Sequence, residues 1–345
     1  MKTHIDKKNN FDFLRLFFAS LVIVSHSFPL SGIAPHDPTY FWSDGQMNLG
    51  TLSVGAFFSI SGFLIIGSLN RAHSILDYLW KRIIRLYPGL IVVLAITLIL
   101  VVIINSNVIE NKSFWTYFPN SLLLYSNQYT IDGIFENNPY KNIINGSLWT
   151  LCYEFTCYIF LSFLIIFRKN IVLQELIILL TFITTLIMYN TVNNFFFMNL
   201  SSKELFRFSS YFLAGSYLYY YKSLLKNLNL FIVSIIIIIT SVFLGFFDWV
   251  FPLITYVILF IGLKSTEIIN SIGVKIGDLS YGVYIYGFLV QQTLMYYFKL
   301  DVFSLISISL AISFIFGFLS WKFVEKPALK FKNIFVNSLR VSVRK

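Results

Sequence analysis

Apolar runs of about 17 to 22 residues recur from one end of the chain to the other, each long enough to cross a hydrocarbon core. Ten windows read as spans: 11–30, 49–70, 84–105, 147–168, 171–190, 205–222, 228–246, 248–263, 279–298 and 303–324. With 57% apolar residues, 12% charged and a mean hydropathy of +0.73, too few polar residues remain to cover a soluble fold of 345 residues. The strand alternation of a membrane barrel is absent. Backbone polar groups in lipid must then be satisfied within helices. The expectation is an all-α, polytopic integral membrane bundle of about ten transmembrane helices. It forms one domain over 1–345, with a basic cytoplasmic tail at 325–345.

A formal charge of +10 invites a nucleic-acid reading, but the distribution of charge argues against it. With the N-terminus placed in the cytoplasm, twenty-one of the 26 Lys and Arg fall on the cytoplasmic side. Only Lys112, Lys141, Lys203, Arg207 and Lys299 fall outside. This is the positive-inside bias, and it predicts both termini in the cytoplasm of a bacterial inner-membrane, multi-pass protein. Anionic lipid headgroups are the ordinary partners of such charge, and no nucleic-acid partner is expected. The N-terminal lysines and apolar stretch superficially match a signal peptide. The stretch is too long, carries Arg15 and lacks a small-x-small cleavage site, so a retained first helix is expected, with no appended soluble domain.

The first span, FDFLRLFFASLVIVSHSF, holds Arg15 and His26. Ionisable groups within a span are costly and therefore candidate functional groups. Eleven residues at about 100° each return to within roughly 20° of the starting direction, so both share one face about 16 Å apart. That is roughly half the hydrocarbon thickness, and such a face suits a path across the bilayer. A neutral imidazole at His26 suits a general base on a hydroxyl, while the plainer reading is a helix–helix hydrogen bond. Asp12, three residues before Arg15, is placed to pair with it near the inner surface.

Beyond the second span the sequence reads DYLWKRIIRLYPGL. Arg82 and Arg85, at i and i+3, form a paired guanidinium face, with Lys81 and Arg71 nearby. Planar guanidiniums bind phosphate oxygens bidentately; ordinary interfacial anchoring is the alternative. The fourth span opens NGSLWTLCYEF, with Glu154 on a face with Ser147 and Thr150. Counted from the outer ends of their spans, Glu154 and His26 fall at similar depth, where a carboxylate would orient an imidazole. Gly55, Ser59 and Gly62 make a small-residue stripe for close helix packing. Cys152 and Cys157 point about 140° apart and read as packing residues. No His, Asp and Glu set has metal-ligand spacing, so no metal is expected. Residues 106–146 form a long outward-facing connection rich in Asn and aromatics, with Thr116–Ser126 as an interfacial or re-entrant segment. Its aromatics suit sugar stacking or an interfacial belt.

The order of these motifs resembles the acyltransferase-3 family of bacterial membrane O-acyltransferases. The matching stretches are Asp12 and Arg15 to His26, GAFFSISGFLI, RIIRLYP, NGSLWTLCYEF, GDLSYGVYIYGF and WKFVEKP, spread over residues 10–330. The resemblance implies transfer of an acyl group, commonly acetyl, from cytoplasmic acyl-CoA to hydroxyls of extracytoplasmic sugars. This chain looks like the stand-alone type that acetylates O-antigen, capsule, exopolysaccharide or nodulation oligosaccharides. It further implies that His26 is the catalytic histidine and Arg15 its companion. Arg82 and Arg85, beside Lys81, would contact coenzyme A phosphates, and Glu154 matches the family's acidic position. Two positions depart: Gly287 stands where many members have histidine, and Leu289 where they have proline. His26 would then carry the base chemistry alone, and Gly287 would reshape the acceptor end of the cavity.

The expected mechanism has acetyl-CoA docking from the cytoplasm and its pantetheine arm threading along the Arg15–His26 face. His26 then activates a sugar hydroxyl of a lipid-linked or growing polysaccharide, and Glu154 orients the imidazole. An acyl-His intermediate is the variant. The competing class is a transporter or flippase of lipid-linked glycan, which predicts paired half-repeats with broken helices. A non-catalytic sensor or assembly subunit is the third reading.

Overall fold

The computed structural model describes residues 9–266, 269 and 277–334. Lys2, Lys7, Lys8, Lys275 and most of the basic tail lie outside them. The principal helices are α1 (Phe11–Ser31), α2 (Pro38–Trp42), α3 (Leu49–Asn70), α4 (Ile75–Ile104), α5 (Lys112–Leu122), α6 (Leu151–Phe163), α7 (Ile171–Thr191), α8 (Ser202–Leu218), α9 (Leu228–Leu244), α10 (Phe247–Val250), α11 (Leu253–Leu263), α12 (Ser280–Phe298) and α13 (Val302–Ser320). A two-residue hairpin, β1 (Phe196–Phe197) and β2 (Leu200–Ser201), supplies the only sheet among the described residues.

Every predicted window holds helix, and among the described residues six segments are long and apolar enough to cross a membrane: 11–31, 49–70, 75–104, 146–167, 171–191 and 302–333. The other four windows hold helices that are shorter or more polar: α8, α9, α11 and α12. Window 248–263 is divided between α10 and α11 around Pro252.

α1, α3, α8 and α12 form the centre of the bundle, with α13 behind α12 and α7 behind α8. The small-residue stripe does the work its spacing predicts. A Cβ on Gly62 would stand 1.9 Å from the Phe212 carbonyl oxygen, and one on Gly215 would stand 2.2 Å from that of Ser59. Only glycine lets the α3 and α8 backbones approach this closely. Ser216 Oγ donates to the Gly62 carbonyl at 3.1 Å across the same crossing. Cys152 and Cys157 are free and buried.

The ends of α1 are tied to other elements. Asn10 donates from its backbone to Gly262 O at 2.8 Å, and from its side chain to Ile261 O at 3.2 Å. At the far end Gly32 takes a left-handed conformation, φ +76°, that stops the helix.

The long connection is an ordered cap. α5 is amphipathic, burying Phe114, Tyr117 and Ser121 against α4. Gln128 then accepts from Thr116 Oγ1 at 2.8 Å and donates to Ser113 O at 2.7 Å. Asn138, Tyr140 and Ile143 converge on Gln292, and Asn145 Nδ2 donates to Ile285 O at 2.8 Å, so the cap is fixed to α12.

Candidate active site

Two cavities open along the bundle interior, one toward each end of α1. The first, of about 550 Å³, is lined by Arg15, Arg71, Lys81, Arg82, Arg85 and Lys332, with Glu154 as its one carboxylate among the described residues. The second, of about 700 Å³, holds His26, His36 and Asp37 among aromatic walls that include Tyr129, Tyr140, Trp149 and Phe288. Both volumes are in the range of small-molecule and cofactor sites. Arg15 and His26 both face the interior, as their spacing predicts, but they open into different cavities.

The cations of the first cavity are not equivalent. Arg85 donates to Asp278 and, at 3.2 Å, to Glu325, and its guanidinium lies 5.7 Å over the Trp321 ring. Glu325 is 1% exposed and accepts from Ser320 Oγ at 3.0 Å. It closes a π-helical turn, Trp321–Glu325, that ends α13. Asp278 also takes Arg15 at 3.4 Å. Burial pushes the Asp278 carboxyl up, but the Arg85 and Arg15 guanidiniums outweigh it and hold it below the ordinary carboxylate value. The predicted Asp12–Arg15 pair does not form: Asp12 is exposed, and Asp278, placed between two arginines, takes its place. Lys81 is paired to buried Asp77 at 2.8 Å.

Arg82 differs. It donates to Ser68 Oγ at 3.3 Å and rests over Tyr78 and Tyr158 at 5.9 and 5.8 Å. Its Nε is buried without a partner, and among the described residues no carboxylate forms an ion pair with it. A desolvated guanidinium left in that state is configured for an anion. Arg71 and Lys332 likewise form no ion pair among the described residues.

Glu154 belongs to this cavity, not to the one that holds His26. It accepts from Tyr158 Oη and, at 3.3 Å, from Ser61 Oγ. The reason is geometric. Glu154 lies eight residues from Gly146, and with about 2 Å added by the steeper 3₁₀ rise of Gly146–Thr150 it stands about 14 Å away. His26 lies only about 8 Å from the α1 end at Ser31.

Two carboxylates line the His26 cavity, Glu204 and Asp37, and Asp37 is the buried one. It lines the same cavity as the His26 imidazole. Four donors fix it: Ser25 Oγ at 2.5 Å, Leu49 N at 3.0 Å, Thr39 N at 3.0 Å and Thr39 Oγ1 at 2.5 Å. It is the N-cap of α2, within an Asp-Pro-Thr signal that the sequence displays. The His26 ring stands edge-on to Phe288, with centroids 5.3 Å apart. Its Nδ1 is buried without a partner among the described residues, and the ring lines the cavity. At the mouth, the β1–β2 hairpin exposes Phe196 and Met198.

Gly287 does not shape this cavity. A Cβ there would stand 2.8 Å from the Ile23 side chain, so the glycine serves α1–α12 packing and Phe288 supplies the cavity wall. Lys332, Asp278 and Glu325 were the other residues missed; the last two stand in GDLSYG and WKFVEKP as charges at span ends.

An acyltransferase domain model of the acyltransferase-3 family matches residues 8–322. An O-acetyl transferase of Shigella phage Sf6 is 31% identical over 339 residues, covering 94% of this chain and 96% of the phage protein. Nodulation protein 10 of Rhizobium leguminosarum bv. viciae is 33% identical over 176 residues, 46% of this chain and 44% of its own. No solved structure matches. The order of motifs, the paired cavities and the near-complete match agree: the chain belongs to the acyltransferase-3 family and is an O-acyltransferase.

Proposed function

We propose that the protein transfers acetyl from cytoplasmic acetyl-CoA to a sugar hydroxyl of an extracytoplasmic surface polysaccharide: an O-antigen, capsule or exopolysaccharide. The observation that carries this reading is the pair of cavities at opposite ends of α1, one cationic and one presenting an imidazole among aromatic rings. In this reading the ten helical windows cross the bacterial inner membrane, both termini are cytoplasmic, and the arginine-lined cavity opens inward. The O-acetyl transferase relative supports the choice of acyl group.

The donor's phosphates sit on Arg82, with Arg71 and Lys332 beside it. Arg85 and Arg15 hold the cavity wall through Asp278 and Glu325, and Lys81 adds a cation already paired to Asp77. Glu154 fixes Tyr158 beneath Arg82 rather than orienting the imidazole. The pantetheine arm follows the α1 face, and its thioester reaches His26. His26 Nε2 takes the proton of the sugar hydroxyl, and the oxygen attacks the thioester carbonyl. The C–O bond forms, the C–S bond breaks, and the imidazolium returns the proton to the departing thiolate. The buried Asp37 carboxylate stabilises the imidazolium while it exists. The aromatic walls suit the apolar faces of sugar rings.

The test is coenzyme A binding to the purified protein, with dephospho-CoA and pantetheine as probes of the phosphate contacts. Saturable binding that weakens as phosphates are removed is the expected result. A protein that binds no coenzyme A yet moves lipid-linked glycan between leaflets would be a flippase, and the proposal would fail.

A further inference from the structure

The two cavities meet at Val54 of α3 and Tyr284 of α12, which line both. Tyr284 is held at both ends of its side chain. Its ring stands edge-on to Phe57, with centroids 5.7 Å apart, and its hydroxyl is 2.6 Å from Thr150 Oγ1. Val54, Tyr284 and Thr150 are all buried. Thr150 sits at the end of the 3₁₀ turn before α6, so three elements converge here. Valine is stiff at χ1, and an anchored tyrosine cannot swing aside without losing its hydrogen bond. The boundary between the cavities is therefore flanked by stiff, anchored side chains, not by a flexible flap.

Resting on the reading above, in which the thioester crosses from the arginine side to His26, we infer that Val54 and Tyr284 select the acyl group by width. The pantetheine arm next to the thioester is unbranched, so the passage need only admit an unbranched chain. A straight acyl group enters as the arm does. An acyl group branched at the carbon next to the carbonyl is wider than anything that must follow it, and the boundary excludes it. The donor class is therefore straight short-chain acyl-CoA, with Val54 and Tyr284 as specificity-determining residues. A hydrophobic wall that changes by one or two methyl groups shifts such discrimination by about 10- to 200-fold.

The experiment uses the full chain in proteoliposomes with its polysaccharide acceptor. It compares kcat/KM for acetyl-CoA and isobutyryl-CoA in wild type, Val54→Ala and Val54→Ile, with coenzyme A binding measured on each. Wild type should favour acetyl by at least about tenfold, Val54→Ala should narrow that gap at least about tenfold, and Val54→Ile should widen it. A ratio that stays within about twofold across the series, while wild type transfers acetyl, overturns the inference alone. Absence of acetyl transfer by a wild type that binds coenzyme A overturns the function reading and the inference with it.

Discussion

Arg82 and Arg85 are the same residue type, one helical turn apart, yet their surroundings predict opposite phenotypes. Arg82 has an unpartnered Nε, a single bond to Ser68, and aromatic faces beneath it. Removing it in Arg82→Ala deletes, on the proposed reading, a charge-assisted bond to a donor phosphate, worth about 1.5–3 kcal/mol. At about 1.4 kcal/mol per decade, KM for acetyl-CoA should rise about 10- to 100-fold. Arg82→Lys should recover only part of this, because an ammonium lacks the planar fork. Arg85 is bonded to Asp278 and to Glu325, which is 1% exposed. Arg85→Ala leaves Glu325 without its cation and Asp278 with Arg15 alone. Breaking a buried pair from one side costs about 3–5 kcal/mol. The loss should appear as a lowered unfolding temperature and reduced folded protein in membranes. The assay is acetyl-CoA kinetics beside thermal unfolding in detergent for the three variants. Arg82→Ala with unchanged KM, or Arg85→Ala with normal stability and raised KM, would refute this assignment.

Further outcomes follow from other contacts. Asp37→Asn should lower kcat by about tenfold or more with KM for acetyl-CoA unchanged, whereas Ser25→Ala, which removes one bond to Asp37 but not its charge, should stay within about threefold; equal kcat losses in both would make Asp37 a structural cap only. Gly62→Ala places a methyl 1.9 Å from the Phe212 carbonyl and should cost at least about 1–3 kcal/mol, read as loss of folded protein on membrane extraction; a normal yield would show that α3 and α8 can separate without penalty. Burial raises the Asp278 carboxyl and its two arginines lower it further, for a net value below the ordinary one. Its contribution to stability is therefore complete above about pH 3.9 and is lost only as pH falls through the lower folded value. Asp278→Asn should lower the unfolding temperature at pH 7 and flatten the acid-side decline; an unfolding temperature matching wild type at pH 7 contradicts that role.

Much of this architecture is legible in residue order because lipid imposes one simple rule, that apolar length must match helix length. Phe11–Ser31 and Leu49–Asn70 reproduce their predicted windows to within a residue. The Gly55–Ser59–Gly62 stripe announces the α3–α8 crossing. The shared face of Arg15 and His26 follows from α-helical periodicity, and its inward direction from the cost of ionisable groups in lipid. Depth is less legible than direction. Glu154 lies three residues farther from its helix end than His26 does from its own, and a 3₁₀ turn adds about 2 Å more, so the two fall at different depths. Asp37 was hidden because its link to His26 runs through the fold of a short loop rather than a spacing along one helix. The inequality of Arg82 and Arg85 was hidden too, since the carboxylates that claim Arg85 lie 193 and 240 residues away in sequence. Gly287 read as an altered cavity wall until the Ile23 contact placed it in helix packing.

The central claim is that His26 performs the base chemistry on the acceptor side. The most direct measurement is the acetyl ester content of the host's surface polysaccharide, in cells carrying wild type or His26→Ala at matched membrane levels. Loss of acetyl ester with normal protein level is the predicted result. Unchanged acetylation would contradict the account, leaving His26 a packing residue and the aromatic cavity without its catalyst.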